Sequence, residues 1–453
     1  MKSLLPRLPI GLLVVAMIAV MSLLVLPQTT VRAAAFAQGN IVVYRVGDGS
    51  TITGADAAAV FLDEFTTAGG AAVQSIALPT TDNGVNKQLV ARRDASDEGL
   101  LTRSADGQYL LLTGYDTDLG TTAPDTADPS VIARVIGRVD SSGTIDTSTL
   151  LTDTGLSGVT GSPRSAASTN GTDLFFGGNR GGVRYTTLGS TGTSTTITTP
   201  AGQSLRQLNI FDNQLYATTN TDPVAIGTVG TGTPTTSGQT ITALPGISSG
   251  MAGTTNEAYG FFFANLDGTP GLDTLYIADD GNDAIQKFSL VGGTWTLNGS
   301  IALTTPIPAN PSVRGLIGTV TGTSVTLYGT TTTRLYSVTD ATGFNQIPTG
   351  TISVLATNTV TNSAFRGLAF APVALVVPTA TSTATSTATA TGTATATGTA
   401  TATTTATVTA TSTGTVTATP TGTTTAIPTV TTTPTATGVP SSPFRIYLPL
   451  ILK

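Results

Sequence analysis

The segment Phe365-Arg366-Gly367-Leu368-Ala369 has the pattern of several earlier segments of this chain, but no second strand follows it. The earlier segments begin at Gly99, Pro163, Leu205, Tyr259 and Val313. Each of them leads through a turn into a short apolar strand, such as Leu174-Phe175-Phe176. An apolar strand that lacks such a leading segment, Ile41-Val42-Val43-Tyr44, lies far upstream. We therefore predict that the two pair and that the repeats close into a ring.

The residues between the two pairing strands read as β-structure throughout. Residues 38–374 contain short runs of β-branched and aromatic residues separated by Gly, Asp-Gly and Asn-Gly turns, without a sustained helical period. A repeat of about 50 residues in an all-β chain indicates radial repetition. The prediction is an all-β six-bladed β-propeller, closed by pairing of its N- and C-terminal strands. A seventh blade would have to lie within Thr80–Glu98 or within the long unit from Leu100 to Arg164.

Residues 1–37 have the pattern of a secretory signal peptide. Lys2 and Arg7 precede an apolar run from Leu8 to Leu26, and Ala35-Phe36-Ala37 satisfies the small-x-small cleavage rule. The apolar run is also long enough to be considered as an uncleaved anchor. The prolines around it and the Ala-x-Ala motif favour cleavage, here predicted after Ala37.

The C-terminal part divides into a linker, 375–443, and a short tail, 444–453. From Pro378 to Pro443 the chain has no charged residue and consists of Thr, Ala, Gly, Ser, Val, Ile and Pro. Such a segment cannot bury enough apolar surface to offset chain entropy, so we predict a disordered stalk. Its Thr/Ser/Pro content is typical of O-glycosylated stalks.

The tail reads Phe-Arg-Ile-Tyr-Leu-Pro-Leu-Ile-Leu-Lys over residues 444–453. It is too short to span a bilayer and lacks the Leu-Pro-x-Thr-Gly motif that sortases read. It resembles the apolar tail that ends many Thr/Pro-stalked exported proteins in one group of filamentous bacteria. That resemblance implies a sorting or surface-attachment signal; the alternative is a strand that packs on the propeller.

Charge and composition exclude several functions. Residues 38–377 carry 15 basic and 26 acidic side chains, a net charge of −11 that repels nucleic-acid backbones. The chain has no Cys and no His. Ser-His-Asp catalysis, His-based acid/base chemistry and most zinc, copper and non-haem iron sites are thereby excluded.

One segment resembles a known repeat. Leu-Tyr-Ile-Ala-Asp-Asp-Gly-Asn-Asp-Ala-Ile-Gln-Lys-Phe, residues 275–288, is similar to the core of the NHL repeat. Ser104-Ala105-Asp106-Gly107 is similar to a turn of other bacterial propellers. As a whole, 38–374 resembles a group of secreted bacterial propellers. The resemblance implies a propeller that binds proteins, peptides or other ligands.

The starts of the repeats supply the candidate binding site. First strands of propeller blades begin around one mouth of the central channel, which predicts a ring of Arg164, Arg206, Tyr259, Arg314 and Arg366. Guanidinium groups facing one another would bind a carboxylate or phosphate. The alternative is that each Arg pairs with an Asp or a carbonyl of the next blade and holds the blades together, a role that repetition in most blades favours.

Two other constellations have weaker support. Asn265-x-Asp267-x-Thr269-x-x-x-Asp273 places oxygen ligands at calcium-loop spacing, but Pro270 replaces the turn glycine and the final Glu is missing. A hairpin loop is therefore favoured, with calcium as the one candidate cofactor. Glu257 and Tyr259 beside several Arg resemble a sialidase site, yet the Ser-x-Asp-x-Gly-x-x-Trp box of that family is missing.

Taken together, these features predict a secreted, cell-surface-attached propeller on a flexible stalk. The predicted role is non-enzymatic binding of a surface polymer or another protein, with no catalytic residues and no nucleic-acid partner. The alternatives are a calcium-dependent propeller hydrolase of lactonase or phytase type, which would use metal-bound water and carboxylates, and a structural envelope component.

Overall fold

Short apolar strands account for nearly all of the regular structure. A computed structural model describes residues 34–153, 161–198, 203–221, 223–247, 257–303 and 313–375. These residues form 26 β-strands and a single 3-10 turn, Pro124–Thr126. The all-β prediction is confirmed, and small sheets are arranged in a propeller-like manner. All described residues belong to one unit, Met1–Thr379.

Four of the sheets are antiparallel and have four strands each. In order from the inner edge, their strands are β9 (Pro163–Ser168), β10 (Asp173–Gly178), β11 (Arg184–Thr187) and β13 (Thr195–Thr196); β14 (Leu205–Phe211), β15 (Gln214–Thr221), β16 (Val224–Val229) and β17 (Ile241–Ala243); β18 (Ala258–Ala264), β19 (Thr274–Asp279), β20 (Ala284–Val291) and β21 (Thr294–Ala302); and β22 (Leu316–Thr321), β23 (Ser324–Thr330), β24 (Arg334–Asp340) and β25 (Ser353–Thr357). The segment that resembles the NHL repeat is the β19–β20 hairpin, in which Ala278 lies opposite Ile285.

The remaining strands form one ten-stranded sheet. They are β1 (Ile41–Val46), β2 (Ala57–Phe65), β3 (Gln74–Ala77), β4 (Val90–Arg92), β5 (Thr102–Arg103), β6 (Tyr109–Tyr115), β7 (Arg134–Asp140), β8 (Ile145–Leu151), β12 (Thr191–Gly192) and β26 (Ala364–Phe370). The main path runs β12-β8-β7-β6-β4-β2-β1-β26, while β3 pairs with β2 and β5 pairs with β6.

The predicted closure by the first and last strands is present. β26 pairs antiparallel with β1, with Val42 opposite Ala369 and Val43 opposite Leu368. Every residue of β1 is buried, because β26 and β2 flank its two edges, the β22–β25 sheet covers one face, and β6 and β7 cover the other. A strand covered on all sides is expected to be as continuously apolar as Ile41–Tyr44.

The inner strands of the sheets contact one another in a closed cycle. The order is β5, β9, β14, β18, β22, β26 and back to β5. Backbone bonds tie the cycle together: Gly260 N–H donates to the Arg314 carbonyl, and Gly367 N–H donates to the Gly99 carbonyl, both at 2.9 Å. A Cβ on Gly367 would lie 2.3 Å from the Leu101 nitrogen, so only glycine fits at that point of the Arg-Gly-Leu motif.

Several predictions concern residues that the structure does not describe. Residues 1–33 of the predicted signal peptide, nearly all of the stalk and the whole C-terminal tail lie outside the described part of the chain. Within the described part, no helix is long and apolar enough to cross a bilayer.

Candidate functional site

Four of the five predicted ring residues lie at or next to the starts of inner strands and share one cavity. Arg164, Arg206, Tyr259 and Arg314 line a single cavity of about 490 Å³, here called the mouth cavity. Its wall also includes Arg92, Asp94, Ala95, Ser96, Asp97, Ser162, Asn179, Glu257 and Asp280. Arg366 does not line this cavity; it is buried beside it at the start of β26.

All four predicted arginines hold one segment of the chain. Residues 93–97, here called the mouth strap, follow β4 and pass over the inner strands. Arg366 Nη2 donates to the Arg93 carbonyl at 2.9 Å, and Arg314 Nη2 donates to Ser96 Oγ at 3.2 Å. Arg206 Nη1 donates to Asp97 Oδ2 at 2.9 Å, and Arg164 Nη2 donates to the same oxygen. The guanidinium groups thus bind the chain itself.

Further contacts join residues from different sheets. Arg164 Nη1 donates to the Leu205 carbonyl at 2.7 Å. Arg314 Nη1 lies 2.9 Å from Asp280 Oδ2, and Arg206 Nη2 lies 3.4 Å from Glu257 Oε2. These pairs favour the structural interpretation of the arginines, in which they hold neighbouring sheets together.

Tyr259 lies between two of the arginines. The guanidinium carbon of Arg314 is 4.0 Å from the centre of its ring, and that of Arg206 is 4.6 Å away. At these distances a guanidinium is attracted to the ring face, so Tyr259 links the starts of two sheets on either side of its own. This explains why Tyr259 occupies a ring position at which four of the other starts carry Arg.

Burial and ion pairing shift the pKa values of the mouth residues in opposite directions. Burial raises the pKa of Asp97, but Arg164 and Arg206 outweigh it, so the pKa lies below its ordinary value. For Asp280 burial wins over Arg314, and the pKa rises to about 6. Burial lowers the pKa of Arg366 to about 10. The cavity therefore contains carboxylates with distinct proton affinities.

The wall also contains polar atoms that have no hydrogen-bond partner within the described residues. They are Nε of Arg164, Nε of Arg206, Nε of Arg314 and Oδ1 of Asp280. Buried polar groups are normally satisfied by protein or by ordered water. In the part of the chain that the structure describes, four atoms of residues lining the mouth cavity therefore lack a hydrogen-bond partner.

A second cavity, lined by other residues of the inner strands, was not predicted from the sequence. It has a volume of about 180 Å³ and is lined by side chains of five inner strands, including Arg103, Phe211, Phe262, Ile317 and Phe370. The available signal was an aromatic or β-branched residue three to six positions after four of the starts, namely Phe211, Phe262, Ile317 and Phe370. Such a residue is equally typical of ordinary core packing.

The calcium-spaced loop is a hairpin loop stabilised by its own backbone. Asp273 accepts the N–H groups of Leu266 and Asp267, while Asp267 Oδ1 accepts both N–H and O–H of Thr269. Asn265 Oδ1 accepts the Gly268 N–H at 3.1 Å. These oxygens cap a turn, as the sequence favoured. Across the described ranges, no three carboxylates converge as a metal site.

Comparison with known proteins gives structural neighbours only. No protein-family model and no curated protein matches this sequence. A periplasmic gluconolactonase of Pseudomonas aeruginosa aligns at 13% identity and TM-score 0.37, over 72% of this chain and 84% of that one. A Bacteroides uniformis protein provisionally named 6-phosphogluconolactonase aligns at 14% identity and TM-score 0.38, over 71% and 83%. A chain of a nidogen–laminin complex aligns at 12% and 0.40, over 73% and 98%. Similarity at this level assigns no activity.

Proposed function

We propose that this chain is an exported, non-enzymatic binding protein whose propeller takes a polar ligand into the mouth cavity. The observation that carries the proposal is the cavity itself. Its volume of about 490 Å³ lies within the range of ligand sites, and its wall holds buried polar atoms without a partner among the described residues. A partner surface or a surface polymer of matching polarity would satisfy them.

The propeller in this proposal has six blades. The ten-stranded sheet would be two blades joined through β4: one made of β26, β1, β2 and β3, and the other of β5, β6, β7 and β8. The closed cycle of six inner strands supports this division. Residues 80–98, where a seventh blade would have to lie, contribute only the three-residue strand β4 to the sheet.

Calcium-dependent hydrolysis has less support. A calcium site needs several carboxylate or carbonyl oxygens directed at one point. In the mouth, Asp97, Glu257 and Asp280 each lie against an arginine. This donor set does not fit a divalent cation, because each carboxylate would first have to leave its guanidinium group.

The binding role is tested with the purified full-length protein and the envelope and extracellular polymer of the producing cells. Asp280→Asn changes the wall of the mouth with little change of shape, so we expect it to weaken binding at least several-fold. Asp212→Asn, on an exposed hairpin turn of β14 and β15, is the matched control and should bind like the parent. If Asp280→Asn bound like the parent and a substitution on another surface abolished binding, the proposed site would be wrong.

Export is tested by the N-terminus of the mature protein. Phe36 is buried, its N–H donates to the Ser141 carbonyl at 2.9 Å, and the Ala37 N–H donates to Glu64 Oε1 at 2.8 Å. Cleavage after Ala37 would remove these contacts. Ala33-Ala34-Ala35 also satisfies the small-x-small rule. These contacts favour cleavage after Ala35 over the site predicted after Ala37. We therefore expect N-terminal sequencing of the secreted protein to begin at Phe36; a protein retaining Met1 would contradict a cleaved signal.

Surface attachment through residues 444–453 belongs to the same proposal. Antibody labelling of intact cells should detect the full-length protein on the surface, whereas a protein ending before Phe444 should be released into the medium. Equal surface labelling of both forms would assign attachment to another part of the chain.

A further inference from the structure

We infer that the ligand of the mouth cavity is an uncharged, polyhydroxylated molecule, that is, a neutral saccharide unit. The inference rests on the proposed function and names the chemical class that the cavity selects. It follows from the charge balance of the wall, from the kind of atoms left without partners, and from the way in which the arginines are already engaged.

The wall of the mouth is electrically balanced. Four arginines line it, and so do four carboxylates: Asp94, Asp97, Glu257 and Asp280. An anion entering this cavity would approach guanidinium groups whose charge is already compensated. The surrounding domain is strongly acidic, so the long-range field also disfavours anions. A neutral ligand does not need an uncompensated guanidinium group, and the acidic field of the domain does not repel it.

The atoms without partners are mostly single donors at separate points of the wall. Arg164, Arg206 and Arg314 each leave the Nε–H group free of a partner in the described structure. A carboxylate or phosphate is recognised best by the two-pronged edge of one guanidinium, where two parallel N–H groups point the same way. For Arg206 those prongs are directed at the carboxylates of Asp97 and Glu257, so that mode of recognition is blocked.

A hydroxyl group fits the same atoms well. It accepts one hydrogen bond from a single N–H and donates one to a carboxylate oxygen. The mouth offers both kinds of group, since Asp280 Oδ1 is an acceptor without a partner in the described structure. Because these atoms are buried, small rotations of the lining side chains would let several hydroxyls of one rigid ring pair with donors from different sheets and with this carboxylate.

Asp97 is the residue that decides between neutral and anionic ligands. Its carboxylate neutralises both Arg164 and Arg206. Replacing it by Asn keeps the shape of the strap but removes one negative charge from the wall. The variant should therefore gain affinity for anions, while the parent protein discriminates against them.

The experiment uses the full-length protein on an array of immobilised neutral oligosaccharides, with hexagalacturonate as the acidic probe. We expect at least one neutral oligosaccharide to bind, and hexagalacturonate to bind at least tenfold more weakly. Asp280→Asn should weaken neutral binding about tenfold, the usual effect of losing a hydrogen bond to a charged group. Asp97→Asn should strengthen hexagalacturonate binding by a similar factor, and Asp212→Asn should change neither.

The outcomes separate this inference from the proposed function. Binding of hexagalacturonate alone, weakened or strengthened by the mouth variants, would overturn the neutral-ligand inference and leave the mouth as a binding site. Binding of no neutral oligosaccharide would also overturn it. Probe binding that no mouth variant alters would reject the mouth cavity itself. Thermal melting of each variant confirms the fold, and Asp280→Asn alone decides the inference if Asp97→Asn is unstable.

Discussion

Glu98, the residue that follows the mouth strap, makes the stability of the fold depend on pH. It is 2% exposed, and its carboxyl group accepts a hydrogen bond from the Tyr115 hydroxyl at 2.5 Å and from the Arg92 N–H at 3.3 Å. Burial raises its pKa from 4.5 to about 8, although the bond from Tyr115 acts in the opposite direction. The folded protein therefore keeps a proton on Glu98 at a pH at which the unfolded chain has lost it.

The free energy of unfolding should consequently fall as pH rises from about 4.5 to about 8. In that window the folded state binds more protons than the unfolded state, and the slope reaches about 1 kcal/mol per pH unit for one group. Glu98→Gln removes the titrating group and should flatten this slope while raising stability at pH 8. Urea unfolding at several pH values measures it. Asp212→Asn serves as the control and should keep the parent slope; an equally steep slope in Glu98→Gln would contradict the assignment.

Gly99 illustrates why the site was only partly predictable. It occupies the ring position that Arg or Tyr occupies in the other five starts, as the bonds from Gly367 N–H to its carbonyl and from Leu100 N–H to the Arg164 carbonyl show. A Cβ there would lie 2.6 Å from the ring of Tyr44, and its φ is +73°. The sequence predicted the Arg positions from repetition. Gly99, which follows the strap, is the one ring position with neither Arg nor Tyr, so repetition in the sequence could not predict its place in the ring.

At the scale of elements, the strands were predictable and the strap was not. The apolar segments Ile41-Val42-Val43-Tyr44 and Leu174-Phe175-Phe176 were predicted as strands and lie within β1 and β10, because apolar runs bounded by turn residues indicate buried strands. β4 has only three residues, and the segment that follows it is polar and charged. Nothing in residues 93–97 indicates that four arginines, each from a distant segment, converge there. That contact is a tertiary property of ring closure.

The strap suggests a structural test of the arginines. Replacing Arg164 and Arg206 together by Gln leaves the carboxylate of Asp97 in the mouth without a counter-charge. Removing one side of a buried ion pair costs about 3–5 kcal/mol, and partial exposure of Asp97 should lower that figure. We therefore expect a clear drop in melting temperature and weaker protection of the strap amides in hydrogen exchange.

The matched control replaces Arg180 and Arg334 by Gln. Neither has an ion pair among those described, so this double variant should melt close to the parent. If the Arg164 and Arg206 double variant also kept the parent melting temperature but lost binding of an anion, the arginines would form an anion-binding site. The structural interpretation would then be wrong.

At the scale of the whole molecule, closure of the ring is what makes the other features possible. β26 supplies the inner edge next to β1 and carries Arg366, which holds the strap. It also completes the cycle of inner strands by contacting β22 and β5. The two chain ends of the propeller therefore meet in one sheet, which protects edges that would otherwise pair with other molecules. The unpaired repeat start at Phe365 was the sequence feature that predicted this arrangement.

Deleting residues 364–377 should open the ring. The deletion removes the buried side chains of Phe365 and Leu368, each of which contributes about 1.5–3 kcal/mol, and exposes the edge of β1. We expect a melting temperature many degrees lower and a tendency to associate through that edge. A protein lacking only residues 444–453 should melt like the parent, since β26 is intact.

A synthetic peptide covering residues 361–375, added in excess, should restore stability to the 364–377 deletion by pairing with β1. The peptide concentration that restores half of the lost stability would measure the affinity of β26 for the rest of the domain. A deletion variant that melts like the full-length protein, or that gains nothing from the peptide while remaining folded, would show that the ring is held together elsewhere.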